Sequence, residues 1–118
     1  MLFRSPFNIS GISEKAGCLA LEDHEWLEKN IEHNNKWSSI LFDKIKSKKI
    51  KTNEPVANFF LLNFENAKLN SEEAFKVFLG SNILLRKMDA YGIKNSLRLT
   101  IGKEEENAKF IEILEKNF

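Results

Sequence analysis

The chain has 118 residues and a mass of 13.7 kDa, a length typical of one folded domain. Hydrophobic residues make up 42% of the sequence and charged residues 30%, with ten Phe, two Trp and one Tyr. This composition excludes an intrinsically disordered chain. Eighteen basic and 17 acidic residues leave a formal net charge of +1, which argues against binding nucleic acid through a global basic field.

The cysteine usage and the apolar segments favour a cytoplasmic location. Cys18 is the one cysteine, so no intramolecular disulfide can form, and we interpret it as a small buried residue. The longest apolar stretch, residues 56–62, is far shorter than the roughly 20 residues that a membrane span needs. The N-terminus lacks the long apolar segment of a signal peptide. We therefore expect no membrane partner.

The first half of the chain predicts two helices after an irregular opening at residues 1–11. Ser10 or Ser13 can cap a helix over residues 12–21, and Asp23 can cap a longer helix over residues 24–47. Apolar residues recur along the longer helix at helical spacing, which predicts one apolar face.

The second half alternates short strands and helices. The predicted elements are a strand at 56–64, a helix at 72–79 capped by Ser71 and stopped by Gly80, strands at 83–88 and 97–101, and a last helix from Glu104. A further short strand near residues 50–52 stays open. In the strand at 97–101, Leu97 and Leu99 share one face while Arg98 lies on the other.

This order of elements, α-α-β-α-β-β-α, predicts an α+β fold. We expect a two-layer small domain in which a sheet of three to four strands carries helices packed on one face. The sequence shows no internal repeat, no low-complexity segment and no linker. Residues 1–118 are therefore predicted to form a single domain, with residues 1–11 as the segment that leads into it.

Two groups of residues favour structural interpretations over functional ones. Five lysines lie between Lys44 and Lys51, and we interpret this run as a solvated helix end, where cations interact favourably with the helix dipole. His24 and His33 are nine residues apart and therefore point to opposite faces of one helix. Neither has a Cys/His cluster nearby, so we expect no metal site.

Arg86 and Arg98 are more informative. The sequence contains three arginines against 15 lysines, and these two lie inside apolar strand-like runs. An arginine flanked by apolar residues needs an anion or a water-facing edge. The guanidinium fork matches carboxylate and phosphate. Two alternatives stay open from the residues alone: an anion site, or two arginines on a solvent-facing side of the sheet.

The C-terminal third carries a recognisable succession of motifs. An arginine follows an apolar run, and a Tyr-Gly loop, an Asn-x-Leu-Arg strand, a glycine and a Glu-Glu-Asn helix start come after it; they are Arg86, Tyr91-Gly92, Asn95 to Arg98, Gly102 and Glu105 to Asn107. This succession resembles histidinol-phosphate aminotransferases. Upstream segments resemble the same family in order: Pro6-Phe-Asn, Ala20-Leu-Glu-Asp23 and Ala57-Asn-Phe59. Lys103 departs from the pattern, which often has Thr there.

The resemblance implies a fold-type I, pyridoxal-phosphate-dependent aminotransferase of histidine biosynthesis. It covers only the C-terminal small domain of such an enzyme, with the large cofactor-binding domain absent. The Schiff-base lysine belongs to that large domain, so no catalytic residue is assigned to this chain. Pyridoxal 5'-phosphate is expected in the full-length enzyme and is not expected to bind stably to this chain alone, which should be inactive by itself.

The resemblance also implies site residues and partners. Arg98 matches the small-domain arginine that binds the acidic group of the substrate, and Arg86 matches a second arginine in the same pocket. Asn58 and Tyr91 fall in matching segments and are assigned supporting roles behind them. The implied partners are the missing large domain, histidinol phosphate and glutamate, and a second copy in a homodimer. The alternatives are a fragment of another fold-type I enzyme, or a stand-alone α+β module that binds an anion or a protein without catalysis.

Overall fold

The computed structural model describes residues 8–118, and the order of elements within this range is the predicted one. The helices are α1 (Gly11–Glu22), α2 (His24–Ser47), α3 (Ser71–Gly80) and α4 (Glu104–Asn117), and the strands are β1 (Phe59–Asn63), β2 (Arg86–Lys87) and β3 (Ser96–Thr100). A short 3-10 turn spans Asp89–Tyr91. Residues 1–7 of the predicted irregular opening, including Pro6 and Phe7 of the Pro6-Phe-Asn segment, lie outside the described residues.

The described part of the chain divides between His33 and Asn34 into two compact units. The N-terminal unit contains α1 and the first turns of α2. Ser10 caps α1 by accepting a hydrogen bond from the Ser13 amide, and the Asp23 carboxylate accepts one from the Trp26 amide, as predicted. No residue of α1 is buried. Cys18 is therefore exposed, and its interpretation as a buried residue was wrong.

The C-terminal unit contains a three-stranded antiparallel sheet in the order β1-β3-β2. Phe60 pairs with Leu99 and Leu62 pairs with Leu97 across β1 and β3, and all four side chains are buried. Because side chains alternate between the two faces of a strand, these pairs define the core face of the sheet. The predicted alternation in the last strand is confirmed.

The core face of the sheet shares one hydrophobic core with three helices. Trp37, Leu41 and Ile45 of α2 are buried in it, which confirms the apolar face of this helix in its C-terminal half. Phe78 of α3 stacks on Phe110 of α4 with ring centroids 4.9 Å apart. A small antiparallel sheet with four helices in the chain is the predicted α+β fold.

The strand β2 is shorter than predicted. The Ile83 amide donates to the Phe78 carbonyl at the end of α3, so it is not available to a sheet. Asn82 has a φ of 61°, which turns the chain there. The open strand near residues 50–52 is an isolated bridge between Lys51 and Asn63.

The start of α3 also differs from the prediction. Asn70, and not Ser71, is the N-cap: its side chain accepts from the Glu73 amide, and the Glu73 carboxylate accepts from the Asn70 amide. The Ser71 amide instead donates to the Asn95 side chain at 2.8 Å. Gly80, which was expected to stop the helix, is its last residue.

A side-chain clamp joins the end of β3 to the start of α4. The buried Asn107 amide accepts from the Gly102 N–H and donates to the Gly102 carbonyl, both at 2.9 Å. A Cβ at position 102 would collide with the Glu106 side chain, which itself accepts from the Lys103 amide at 2.8 Å. The hydrogen bonds and the lack of space for a Cβ therefore explain why glycine, glutamate and asparagine occupy positions 102, 106 and 107.

Lys103 is the weak point of this clamp, because the N-cap of α4 has no side-chain acceptor. We expect Lys103→Thr to stabilise the C-terminal unit by about 1 kcal/mol, since the hydroxyl can accept from a free amide in the first turn. Urea unfolding measures the effect. Lys103→Ala removes the same lysine without supplying an acceptor, and equal stability of the Thr and Ala variants would contradict the capping argument.

Candidate anion-binding site

Arg98 lies in the middle of β3, on the face of the sheet opposite the core. Its neighbours Leu97 and Leu99 are buried on the core face, so the alternation of the strand directs Arg98 to the other side. β3 pairs with a strand on each edge, which holds the Arg98 backbone between two hydrogen-bonded ladders. The position of this arginine therefore follows from the same alternation that builds the core.

Arg86 lies directly opposite Arg98 in the register of β2 and β3. The structure therefore brings the two predicted site residues together, although they are twelve positions apart in the sequence. Like charges directly opposite each other in an antiparallel pair are destabilising. Water relieves this repulsion where the guanidinium is exposed, as that of Arg86 is, and a negative partner relieves it elsewhere.

No carboxylate among the described residues supplies that partner. The four ion pairs found between residues 8 and 118 all use lysine as the cation. The Nε atom of Arg98 is buried and has no hydrogen-bond partner within this range. A buried unpaired donor on a cation is costly. Guanidinium donors unclaimed by the protein are suited to an oxyanion from outside it.

Each arginine instead contacts one aromatic ring. The guanidinium carbon of Arg98 lies 5.4 Å from the centroid of the Phe59 ring. The corresponding carbon of Arg86 lies 5.5 Å from the Tyr91 ring, and its Nη2 atom donates to the Tyr91 hydroxyl at 2.7 Å. Both distances lie within the range of cation–π attraction.

The two other predicted site residues differ in how they relate to this pair. Tyr91, at the end of the 3-10 turn, contacts Arg86 directly and is 58% exposed. Asn58 precedes β1, and its backbone carbonyl accepts from the Ile101 amide at 2.8 Å. No contact between the Asn58 side chain and either arginine is found in the described part of the chain.

Phe59 was missed by the sequence analysis. It belongs to β1, where it pairs with Thr100, and so lies diagonal to Arg98 on the same face of the sheet. Only the register reveals this neighbour, and neither spacing nor composition carries that information. The aromatic character of the residue is visible in the sequence, but its contact is not.

A groove of about 740 Å³ includes both arginines in its lining. This volume lies in the range of small-molecule sites. The groove lies along the residues before β2, the strands β2 and β3, and the start of α4. Apolar and polar side chains mix in its wall, among them Phe75, Leu84, Thr100, Asn107 and Phe110.

Among the described residues that line the groove, Lys87 is the one with an amine, and it is already paired. Its Nζ lies 2.9 Å from the Glu72 carboxylate and 4.5 Å from the centre of the Phe75 ring. The hydrogen bond from Lys87 and its positive charge lower the pKa of Glu72 below the ordinary 4.5. The charged side chains in the lining of the groove are therefore two guanidiniums, this paired amine and the carboxylate of Glu106, which accepts from the Lys103 amide.

The remaining candidates of the sequence analysis lie elsewhere. In the run between Lys44 and Lys51, Lys44 pairs with Glu115 and Lys46 lies over the Phe42 ring. Among residues 8–118 no group of three or more His, Cys, Asp or Glu side chains could hold a metal ion. None of the described helices is long and apolar enough to cross a membrane.

Solved structures share this fold. A histidinol-phosphate aminotransferase from Clostridium acetobutylicum superposes with a TM-score of 0.83 at 24% identity, over 97% of this chain and 35% of that chain. A decarboxylase from Sulfurospirillum multivorans superposes with a TM-score of 0.68 at 20% identity, over 92% of this chain and 32% of that one. At these identities the likeness establishes the fold, which enzymes of different reactions share.

The family follows from the sequence comparisons. The chain belongs to the family of class I and II aminotransferases, whose model matches residues 1–114. The histidinol-phosphate aminotransferase of Pelagibacter ubique is 36% identical over 118 residues, which are 99% of this chain and 33% of that protein. This chain therefore spans about one third of the length of that curated relative. The resemblance stated from the motifs is confirmed, and the family implies pyridoxal phosphate in the full enzyme.

The ion pair beside the site gives a testable electrostatic prediction. Lys87→Met should raise the pKa of Glu72 toward 4.5, because the hydrogen bond and the positive charge are both removed. A carboxyl whose pKa is lower in the folded state stabilises the fold above its unfolded-state pKa, and this contribution disappears as the pH falls through the folded-state value. The loss of stability caused by the substitution should therefore be largest at neutral pH and shrink in acid.

An NMR titration of the side-chain carboxyls measures both parts of this prediction when it is combined with urea unfolding at neutral and acidic pH. Glu115 is the internal control, because its pKa is lowered by Lys44 and should stay low in the variant. An unchanged titration of Glu72 in Lys87→Met would show that Lys87 is not the cause of the shift.

Proposed function

We propose that this chain is the substrate-binding C-terminal part of a pyridoxal-phosphate-dependent histidinol-phosphate aminotransferase. In this proposal Arg98 and Arg86 bind the acidic group of the substrate. The observation that carries it is the pair of arginines placed opposite each other without a carboxylate partner among the described residues. Family membership and the 36% identity with the Pelagibacter ubique enzyme support it.

The proposed reaction gives both arginines a purpose. The acid is the phosphate of histidinol phosphate in one half-reaction and a carboxylate of glutamate in the other. Two guanidinium forks can each form parallel hydrogen bonds with either anion. An anchored acid fixes the direction of the reacting C–H bond relative to the cofactor, and orientation of this kind lowers the barrier by several kcal/mol.

The cofactor and the chemical step are assigned to the remainder of the enzyme. When bound, pyridoxal phosphate acts as the electron sink of transamination. This chain would bind and orient the substrate in front of it, and we expect no stable binding of the cofactor to the chain alone. Tyr91 and Asn58 are proposed as supporting residues, Tyr91 through Arg86 and Asn58 through the sheet. We further propose, from the family resemblance, a cytoplasmic homodimer in which a large domain completes the site.

Two other functions share part of this evidence. A fragment of another fold-type I enzyme is favoured by the decarboxylase with the same fold. A stand-alone anion-binding module would use the same arginines without catalysis. The proposed function and these two alternatives differ in the residues that carry out the reaction, and those residues lie outside this chain in the first two cases.

The arginine pair is tested by binding of inorganic phosphate to the purified chain. Arg98→Gln should weaken phosphate binding about 10- to 100-fold, because a charge-assisted hydrogen bond contributes roughly 1.5–3 kcal/mol. Isothermal titration calorimetry measures the affinity, and circular dichroism checks the fold of each protein. Lys109 is an exposed residue of α4 outside the lining of the groove, so Lys109→Gln removes an equal charge and should leave the affinity unchanged. Equal affinity of the two variants would overturn the proposed site.

The enzymatic part of the proposal needs an activity measurement. The chain alone should show no transamination of histidinol phosphate with 2-oxoglutarate, whereas a gene product with the upstream reading frame attached should show it. Transaminase activity of the pure chain would overturn the division of labour proposed here. A stop codon immediately before the Met1 codon would favour the stand-alone module.

A further inference from the structure

Each of the two arginines contacts an aromatic ring from a different element of the fold. Phe59 comes from β1 and contacts Arg98, whereas Tyr91 comes from the 3-10 turn after β2 and contacts Arg86. In the strand order β1-β3-β2, Phe59 lies on the β1 side of Arg98, and Arg86 lies on its other side. The two rings belong to separate elements, so the pairing of each arginine with a ring does not follow from one local motif.

Arg86 and Arg98 lie opposite each other in the register of β2 and β3, and no carboxylate within the described residues forms an ion pair with either of them. A long arginine side chain that nothing holds samples many rotamers, and a ligand would have to fix it at an entropic cost. An aromatic face offers attraction to a guanidinium without neutralising its charge or occupying all of its donors. A ring can thus fix an arginine and leave it able to bind an anion.

Resting on the proposed function, we infer that Phe59 and Tyr91 are positioning residues that hold Arg98 and Arg86 ready to bind an anion. We also infer that the Tyr91 hydroxyl makes this arginine pair prefer phosphate. Phe59 contributes its ring alone. Tyr91 contributes its ring and an oxygen that accepts a hydrogen bond from Arg86 at 2.7 Å. The contact of Arg86 with Tyr91 is therefore chemically different from the contact of Arg98 with Phe59.

The bias toward phosphate follows from the hydrogen-bonding capacity of the phenol. A tyrosine hydroxyl can accept and donate at the same time. Its oxygen accepts from Arg86, and no acceptor for its proton is found among residues 8–118. The O–H group is therefore available as an extra donor beside Arg86. Phosphate has more acceptor oxygens than carboxylate, and so gains more from an extra donor.

Binding of two probes to the chain separates the two roles. Inorganic phosphate and glutarate are titrated into the wild type and the variants by calorimetry. Phe59→Leu should weaken both anions by about 3- to 10-fold, the size of a cation–π contact. Phe59→Tyr retains a ring and should restore both affinities to within about twofold. Tyr91→Phe should weaken phosphate by roughly 3- to 10-fold, the size of one neutral hydrogen bond, and glutarate less.

A matched control comes from α2. Phe42 lies under Lys46 at 4.9 Å in a contact of the same kind, but this cation belongs to α2 and is not one of the two site arginines. Phe42→Leu should therefore leave both affinities unchanged. If Phe59→Leu unfolds the chain by circular dichroism, Tyr91→Phe decides the question through the ratio of phosphate to glutarate affinity, which a merely structural change would not move, and Phe59→Tyr serves as the variant in which this ratio should stay unchanged.

A readout without ligand distinguishes this inference from the proposed function. The Nε–Hε signal of Arg98 in a ¹⁵N NMR spectrum should be distinct in the wild type and should merge with freely rotating arginines in Phe59→Leu. Anion binding by the wild type that is indifferent to both rings would overturn the inference and leave the proposed site standing. If the wild type shows the distinct Arg98 signal but binds neither anion, the proposed site would be overturned and the positioning role would remain.

Discussion

The constraint on which the site depends is the pairing of β3 along both of its edges. A strand hydrogen-bonded on both sides has little freedom to rotate, so the direction of every side chain on it is set by the pleat. Leu97 and Leu99 point into the core and are held there by burial. Arg98 between them must then point the other way. The hydrophobic effect on one face thus fixes the place of a cation on the other.

The end of β3 is held just as firmly. The Asn107 side chain satisfies both backbone groups of Gly102, which connects the strand to the first turn of α4. Phe110 on that helix stacks with Phe78 and belongs to the core. Movement of β3 along its axis would break this clamp and the core contacts together. The motif that resembles the family in sequence is therefore a mechanical link between the arginine strand and the helical layer, and it does not itself need to touch a substrate.

What the sequence could predict and what it could not have different physical origins. Element type, the alternation in β3 and the Asp23 cap of α2 depend on neighbours within a few residues, and they were predicted correctly. The length of β2 could not be predicted, because the Ile83 amide is taken by a carbonyl of α3 that only the folded chain places there. Asn70 and Ser71 are both good cap residues, and the contact of Ser71 with Asn95 decides between them. The same limit applies to the site: two arginines were visible, but their direct opposition and the place of Phe59 depend on register.

The opposed arginines also connect binding with stability. Natural sequences break local rules at functional sites, and like charges facing each other across a strand pair break one. An anion that bridges the two guanidiniums would remove this repulsion in the folded chain, whereas the unfolded chain keeps the charges apart and gains nothing. A ligand that binds only the folded state stabilises it by mass action. The repulsion between the two arginines thus raises the free energy of the anion-free fold. By holding the arginines in place, the aromatic rings let a bound anion relieve this repulsion without a rearrangement of the side chains. If each cation had a carboxylate partner, as Lys87 has Glu72, the anion-free fold would avoid this repulsion. Cations neutralised in this way would be less available to bind an anion from outside.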